Sequence, residues 1–114
     1  MANEENIAVI PVFDLGDTQY EVKFNLARAR MYERKHGSIA QIFVKSEGVF
    51  TIDQIINLLS VGMKVVGGEF VNPKKAEGLA ESLVETYGYM PAMNTVQDAM
   101  QRDLAFFFKG ILND

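Results

Sequence analysis

One histidine, one glycine pair, glutamates a helical turn apart such as Glu81 and Glu85, and one basic cluster are the residues whose types and spacing bear on chemistry in this chain. His36 could act as a general base or bind a metal, but it is the only histidine, and a structural metal site needs several such ligands. Its place at the end of a helical pattern suggests a simpler role, because a partly charged imidazole is favoured at a helix C-terminus. The pair Gly67 and Gly68 in "VVGGEF" lacks the spacing of a phosphate-binding loop, and no Lys-Ser or Lys-Thr follows it, so it reads as a loop. Glu81 and Glu85 share one outer helix face, where carboxylates are solvated rather than paired for acid–base work. "RARMYERKH" gathers Arg28, Arg30, Arg34 and Lys35 with Tyr32 as its one stacking aromatic. In an acidic chain it reads as a solvated helix face rather than an anion patch. No nucleophile, base and orienting group fall together, so the reading is non-enzymatic, with no catalytic, cofactor or metal site.

The whole-chain composition points the same way. Eleven Lys and Arg against fifteen Asp and Glu give a net charge of -4, which supplies no basic field for a phosphate backbone and argues against nucleic acid as a partner. The absence of cysteine removes disulfides and thiol chemistry and suits a reducing compartment. "MANEENIAVI" lacks the basic start and apolar centre of a signal peptide, and no apolar run approaches the roughly 18 residues of a membrane helix. A cytoplasmic protein that does not span a membrane is expected. At 114 residues, 1–114 reads as one domain with a real core.

The elements follow from periodicity and punctuation. Residues 1–6 read as disordered, and 7–24 as a β-hairpin. "IAVIPVF" is an edge strand because Pro11 cannot donate to a ladder, "DLGD" is the turn, and "TQYEVKF" alternates Tyr20, Val22 and Phe24 with polar residues. Residues 25–112 read as helical. Asn25 caps a helix over 26–36 that Gly37 stops, and Ser38 opens a second short one. From Thr51, which has capping-box spacing to Gln54, Ile52, Ile55, Ile56, Leu59, Met63 and Val66 mark a central core helix. Leu58, Val61 and Val65 flank that stripe, and so broad an apolar surface reads as buried on more than one side. Asn72 and Pro73 start a helix to about Tyr87, with Ala76, Leu79, Ala80, Leu83, Val84 and Tyr87 inward and Gly88 as its stop. "YMPAMN" reads as a linker or first turn. A last helix over about 95–109 places Val96, Met100, Leu104, Phe107 and Ile111 on one side. The fold class is α+β, mainly α-helical: an N-terminal β-hairpin packed on a bundle of four to five short helices.

Three consecutive phenylalanines in "FFFKGILND" cannot share one helix face, because successive residues are about 100° apart. Phe107 belongs to the stripe, Phe108 sits at its margin and Phe106 points away. Either the chain end docks between other helices, or it meets another protein, since large exposed apolar patches mark interaction surfaces. Leu58, Val61, Val65, Phe106, Phe108 and Leu112 are the candidate protein-interaction residues. Six methionines suit adaptable contacts.

The order of "GDTQYEVKFNL", "ARMYERKHGSIAQIF", "FTIDQIINLLSVGM" and "NPKKAEGLAESLVETYG" resembles the small tail assembly chaperones of long-tailed bacteriophages and prophages. The matching segments are Gly16 to Leu26, Glu33 to Ile39, Leu58 to Met63 and Asn72 to Tyr87. Where members often carry "aGL", this chain has Val61, Gly62 and Met63, and its first thirteen residues match nothing in the pattern. The resemblance implies a non-catalytic cytoplasmic helper that coats the tape measure protein, keeps it soluble until tail tube subunits polymerise around it, and is absent from the finished particle. It implies self-association, and a longer form made by ribosomal frameshifting that reaches the tail tube protein. Consecutive Phe codons can spell a uridine run on which a ribosome slips, a second account of the terminal phenylalanines. The rival reading is another morphogenesis protein, a head-tail connector or tail completion protein, that stays in the particle.

Overall fold

The computed structural model describes residues 9–47 and 49–107. Among them, five helices and one three-stranded antiparallel sheet form an α+β fold that is mainly helical. β1 (Phe13–Leu15) and β2 (Thr18–Val22) make the expected hairpin, with Phe13 opposite Tyr20 and Leu15 opposite Thr18. The two-residue turn is Gly16-Asp17. Its first residue has φ +67°, a conformation that glycine adopts without cost. Tyr20, Val22 and Phe24 are buried, as their alternation predicts.

The first strand is shorter than expected. Residues 9–12 are not in the sheet: Pro11 has no N–H to give, and the amide of Ile10 donates instead to Thr95 Oγ1 on the last helix at 2.8 Å. Asp14, expected in the turn, is a strand residue whose amide donates to the Tyr87 hydroxyl. Residues 1–8, including the expected disordered start, lie outside the described residues.

The helices keep their predicted caps. Asn25 Oδ1 accepts from Arg28 N at the start of α1 (Leu26–His36), and Ser38 Oγ accepts from Gln41 N at the start of α2 (Ile39–Ser46). Thr51 and Gln54 form both bonds of a capping box on α3 (Ile52–Gly62). Asn72 and Pro73 open α4 (Pro73–Tyr87).

Two boundaries differ from the sequence reading. The core helix was expected to reach Val66, but α3 ends at Gly62 and the next three residues are β3 (Met63–Val65), paired with β2 through Val22–Met63 and Tyr20–Val65. Tertiary pairing overrides helical periodicity here: β2 needs a second neighbour, and glycine is a poor helix former. The Gly62 carbonyl accepts from Lys23 N at 2.8 Å, which locks the change of direction. Gly67-Gly68 then reverses the chain so that Val71 N reaches the Met63 carbonyl.

The last helix is shifted as well. α5 spans Tyr89–Asp103 rather than about 95–109, because Gly88 ends α4 and "YMPAMN" is the first turn of α5. Pro91 is tolerated there because amides in a first turn have no helical partner. A short 3-10 turn over Ala105–Phe107 follows. Val96, Met100 and Leu104 are buried as predicted, while the Phe107 side chain and Ile111 lie outside the described residues.

α3 is the centre of the core. It packs against α1, α4 and α5, which absorbs an apolar surface too broad for one neighbour. Ile55, Leu58 and Leu59 are fully buried. Leu83 and Ala80 of α4, Phe13 of the sheet and Val96 of α5 complete the same cluster.

Candidate protein-interaction surface

Of the six residues expected to meet a partner, the structure places two in the interior. Leu58 and Val61 are buried by α3's own neighbours and present nothing to another chain. The flanking face of α3 is the one on which the neighbouring helices close. Val65 is half-buried in β3 against the core. Phe106, in the 3-10 turn after α5, is 48% exposed and is the expected residue that lies on the surface. Phe108 and Leu112 lie outside the described residues.

Other large apolar side chains are exposed as well, among them Leu26 on α1 and Met90 on α5, and three lie close together in sequence. Val44, Val49 and Ile52 are each more than half exposed and fall within nine residues, across the junction of α2 and α3. Ile52 was placed on the core stripe, yet it is the first residue of α3, where the stripe has run past the packed neighbours. The staple positions around that cap are Phe50 and Ile55, and both are buried. Phe50 is held from two sides, by the edge of the Phe43 ring and by the Tyr89 hydroxyl, which donates to its carbonyl. The junction thus joins a buried, anchored aromatic to exposed apolar residues on either side of it in sequence. Val49 lines a cleft of about 370 Å³ between α2 and the start of α3 with Gln41 and Lys45.

The basic cluster is divided rather than uniform. Arg28, expected on a solvated face, turns inward. Its Nε donates to the Val61 carbonyl at 2.8 Å, and its guanidinium lies 4.5 Å from the centre of the Phe70 ring. Burial lowers its pKa from the ordinary arginine value. Arg30, Arg34 and Lys35 are exposed. His36 ends α1 with its ring 4.8 Å from that of Tyr32. Glu33, another helical neighbour of His36, accepts from Ile39 N at 2.9 Å and so joins the end of α1 to the start of α2.

A second ionic element had no sequence signal. Arg102 pairs with Asp103 and also donates to the Val22 carbonyl at 2.9 Å, while Asp103 accepts from Phe24 N at 2.9 Å. The adjacent pair therefore grips the chain on both sides of Lys23. Burial alone would raise the Asp103 carboxyl, but hydrogen bonds from Arg102 and the Phe24 amide and the nearby positive charges outweigh it, so its pKa lies below the ordinary value.

Glu81 and Glu85 lie exposed on α4. No group of three or more His, Asp and Glu among the described residues could hold a metal, and no helix among them is long and apolar enough to cross a membrane. What the arrangement offers chemically is surface: exposed apolar residues at the α2–α3 junction, an exposed aromatic, and a cleft between α1, α3 and α4 lined by polar and apolar side chains. Comparisons with protein-family models, with curated proteins and with solved structures each find no match to this chain.

Proposed function

We propose that this chain is a tail assembly chaperone of the long-tailed bacteriophage type, which binds the tape measure protein in the host cytoplasm and keeps it soluble until tail tube subunits polymerise around it. The observation that carries the reading is that the four segments behind the sequence resemblance meet in one framework. In Gly16 to Leu26, Phe24 covers Gly62 of the segment Leu58 to Met63, and Met63 pairs with Val22. Glu33 and Ile39 bond to each other at the α1–α2 junction. Asn72 and Tyr87 bound α4, and Tyr87 reaches back to β1. The first and third segments thus touch directly, and α3, which carries the third, packs against α1 and α4, which supports reading the segments as parts of one unit.

The surface supports binding rather than catalysis. The exposed apolar residues Val44, Val49, Ile52 and Phe106 suit a helix-rich client and self-association. A longer frameshifted form would carry a further segment to the tail tube protein. The reading is tested by co-expression with the tape measure protein of the same genome, which should raise the soluble yield of that protein and co-purify with it. Mass spectrometry of purified virions separates it from the rival: a head-tail connector or completion protein would be found in the particle, and a chaperone would not.

A further inference from the structure

Between α1, α3 and the start of α4 lies a cleft of about 700 Å³. Tyr32, which lines it, is only 2% exposed, and its hydroxyl has no hydrogen-bond partner among the described residues. Yet no fully buried side-chain polar atom among the described residues lacks a partner. The hydroxyl is therefore the part of Tyr32 that reaches the surface, and the cleft is the surface it opens on. The side-chain amide of Asn57, half-buried on α3, lines the same cleft and likewise has no partner among the described residues.

The charges around these two donors are cationic, against the sign of the whole protein. Lys35 from α1 and Lys74 from α4 line the cleft without an ion-pair partner among the described residues, and Glu77 is its one acidic group. The cleft also meets the N-terminal end of the fifteen-residue α4. That end adds its dipole more than free amides, because Asn72 already caps Lys74 N and Pro73 has none. The half-buried Met31 and Pro73 supply an apolar wall.

We propose that this cleft binds an acidic segment of a partner protein: a carboxylate accepts from the Tyr32 hydroxyl and the Asn57 amide between Lys35 and Lys74, and a neighbouring apolar side chain rests on Met31 and Pro73. Two donors and two ammonium groups that line one cleft, without partners among the described residues, complement a carboxylate in both charge and hydrogen bonding. Burial raises the pKa of Tyr32, so its hydroxyl stays a donor at neutral pH. The chaperone reading is not needed for this inference, and the test below uses no tape measure protein, so either can fail alone.

The probe is acetyl-leucyl-glutamyl amide, with the uncharged glutaminyl analogue as its control, titrated into the 15N-labelled full chain. The expected result is saturable shifts centred on Tyr32, Asn57 and Lys74 in the millimolar range, with no saturable response to the analogue. Tyr32→Phe keeps the ring and should weaken binding about tenfold. Lys35→Glu with Lys74→Glu should abolish it, whereas Arg30→Glu with Lys45→Glu, an equal change in charge at exposed positions, should leave it intact. The amide spectrum reports the fold of each variant, and Lys35→Gln with Lys74→Gln serves if the reversal disturbs it. Absent or scattered shifts, an equal response to the analogue, or unchanged binding in the lysine pair would overturn the proposal.

Discussion

A methyl group placed on Gly62 would lie 2.6 Å from Cζ of Phe24, closer than carbon atoms approach. Phe24 is 6% exposed, so its ring has little room to withdraw. The last residue of α3 and the last aromatic of the hairpin therefore determine each other. Gly62→Ala should destabilise the fold by about 1–3 kcal/mol through overpacking, read from denaturant unfolding. Phe24→Leu in the same chain should recover part of that loss. Additive costs of the two changes would mean that the ring is not the obstacle.

The Asp103 carboxylate couples stability to pH. Its pKa lies below the ordinary value in the folded chain, so its contribution is fully present above the unfolded value of about 3.9 and is lost as pH falls through the folded one. Asp103→Ala should cost about 1–3 kcal/mol at neutral pH, because it also leaves the Phe24 amide and Arg102 without their acceptor. The gap between variant and parent should narrow steadily below about pH 4. A gap that is constant with pH would contradict the ionic account.

Among the arginines of α1, only Arg28 should matter to the fold. Arg28→Ala removes the bond to the Val61 carbonyl and the contact with Phe70, for a loss of about 1–3 kcal/mol, whereas Arg30→Ala and Arg34→Ala should stay within about 0.5 kcal/mol. Thermal unfolding of the three variants checks this, and equal effects would restore a uniform solvated face.

How much of this was legible beforehand depends on the range of the interaction involved. Caps are local, so Asn25, Ser38, Thr51 with Gln54, and Asn72 with Pro73 were all readable, as was the alternation of Tyr20, Val22 and Phe24. β3 was not, because the apolar spacing of Met63 continues the α3 pattern and only the unpaired edge of β2 turns it into a strand. Nor was the inward turn of Arg28, whose partners are 33 and 42 residues away in sequence. The expected interaction surface went wrong for a related reason. Leu58 and Val61 lie on the flanking face of α3, and three packed neighbours account for its breadth. Three of the exposed apolar residues sit at the α2–α3 junction, where Val44 and Val49 carry no periodic signal and the periodicity assigns Ile52 to the core because it cannot show where the packed neighbours end.

Self-association should follow the exposed apolar residues and survive moderate salt, since screening acts on charges and barely on apolar burial. Ile52→Asp and Phe106→Asp should lower the mass seen by light scattering without unfolding the chain, and Glu81→Lys on the solvated face of α4 should not. Leu58→Asp should unfold it, because the charge would be buried. A strictly monomeric parent at high concentration would contradict this.

The codons for Phe106, Phe107 and Phe108 make an independent test of the proposed frameshift. They should contain a uridine heptamer or close variant, with an open shifted frame that continues past Asp114. Synonymous recoding should abolish a longer product while leaving this chain unchanged. An immediate stop in the shifted frame, or a longer product that persists after recoding, would leave Phe106 to be explained by packing or partner contact alone.

The central claim is binding of the tape measure protein, and the most direct measurement is its soluble fraction when it is expressed with and without this chain. The account predicts a clear rise in soluble tape measure protein, recovered in complex with the chain, and a smaller rise with Ile52→Asp or Phe106→Asp. No change in solubility, together with no co-purification by the folded parent chain, would contradict it.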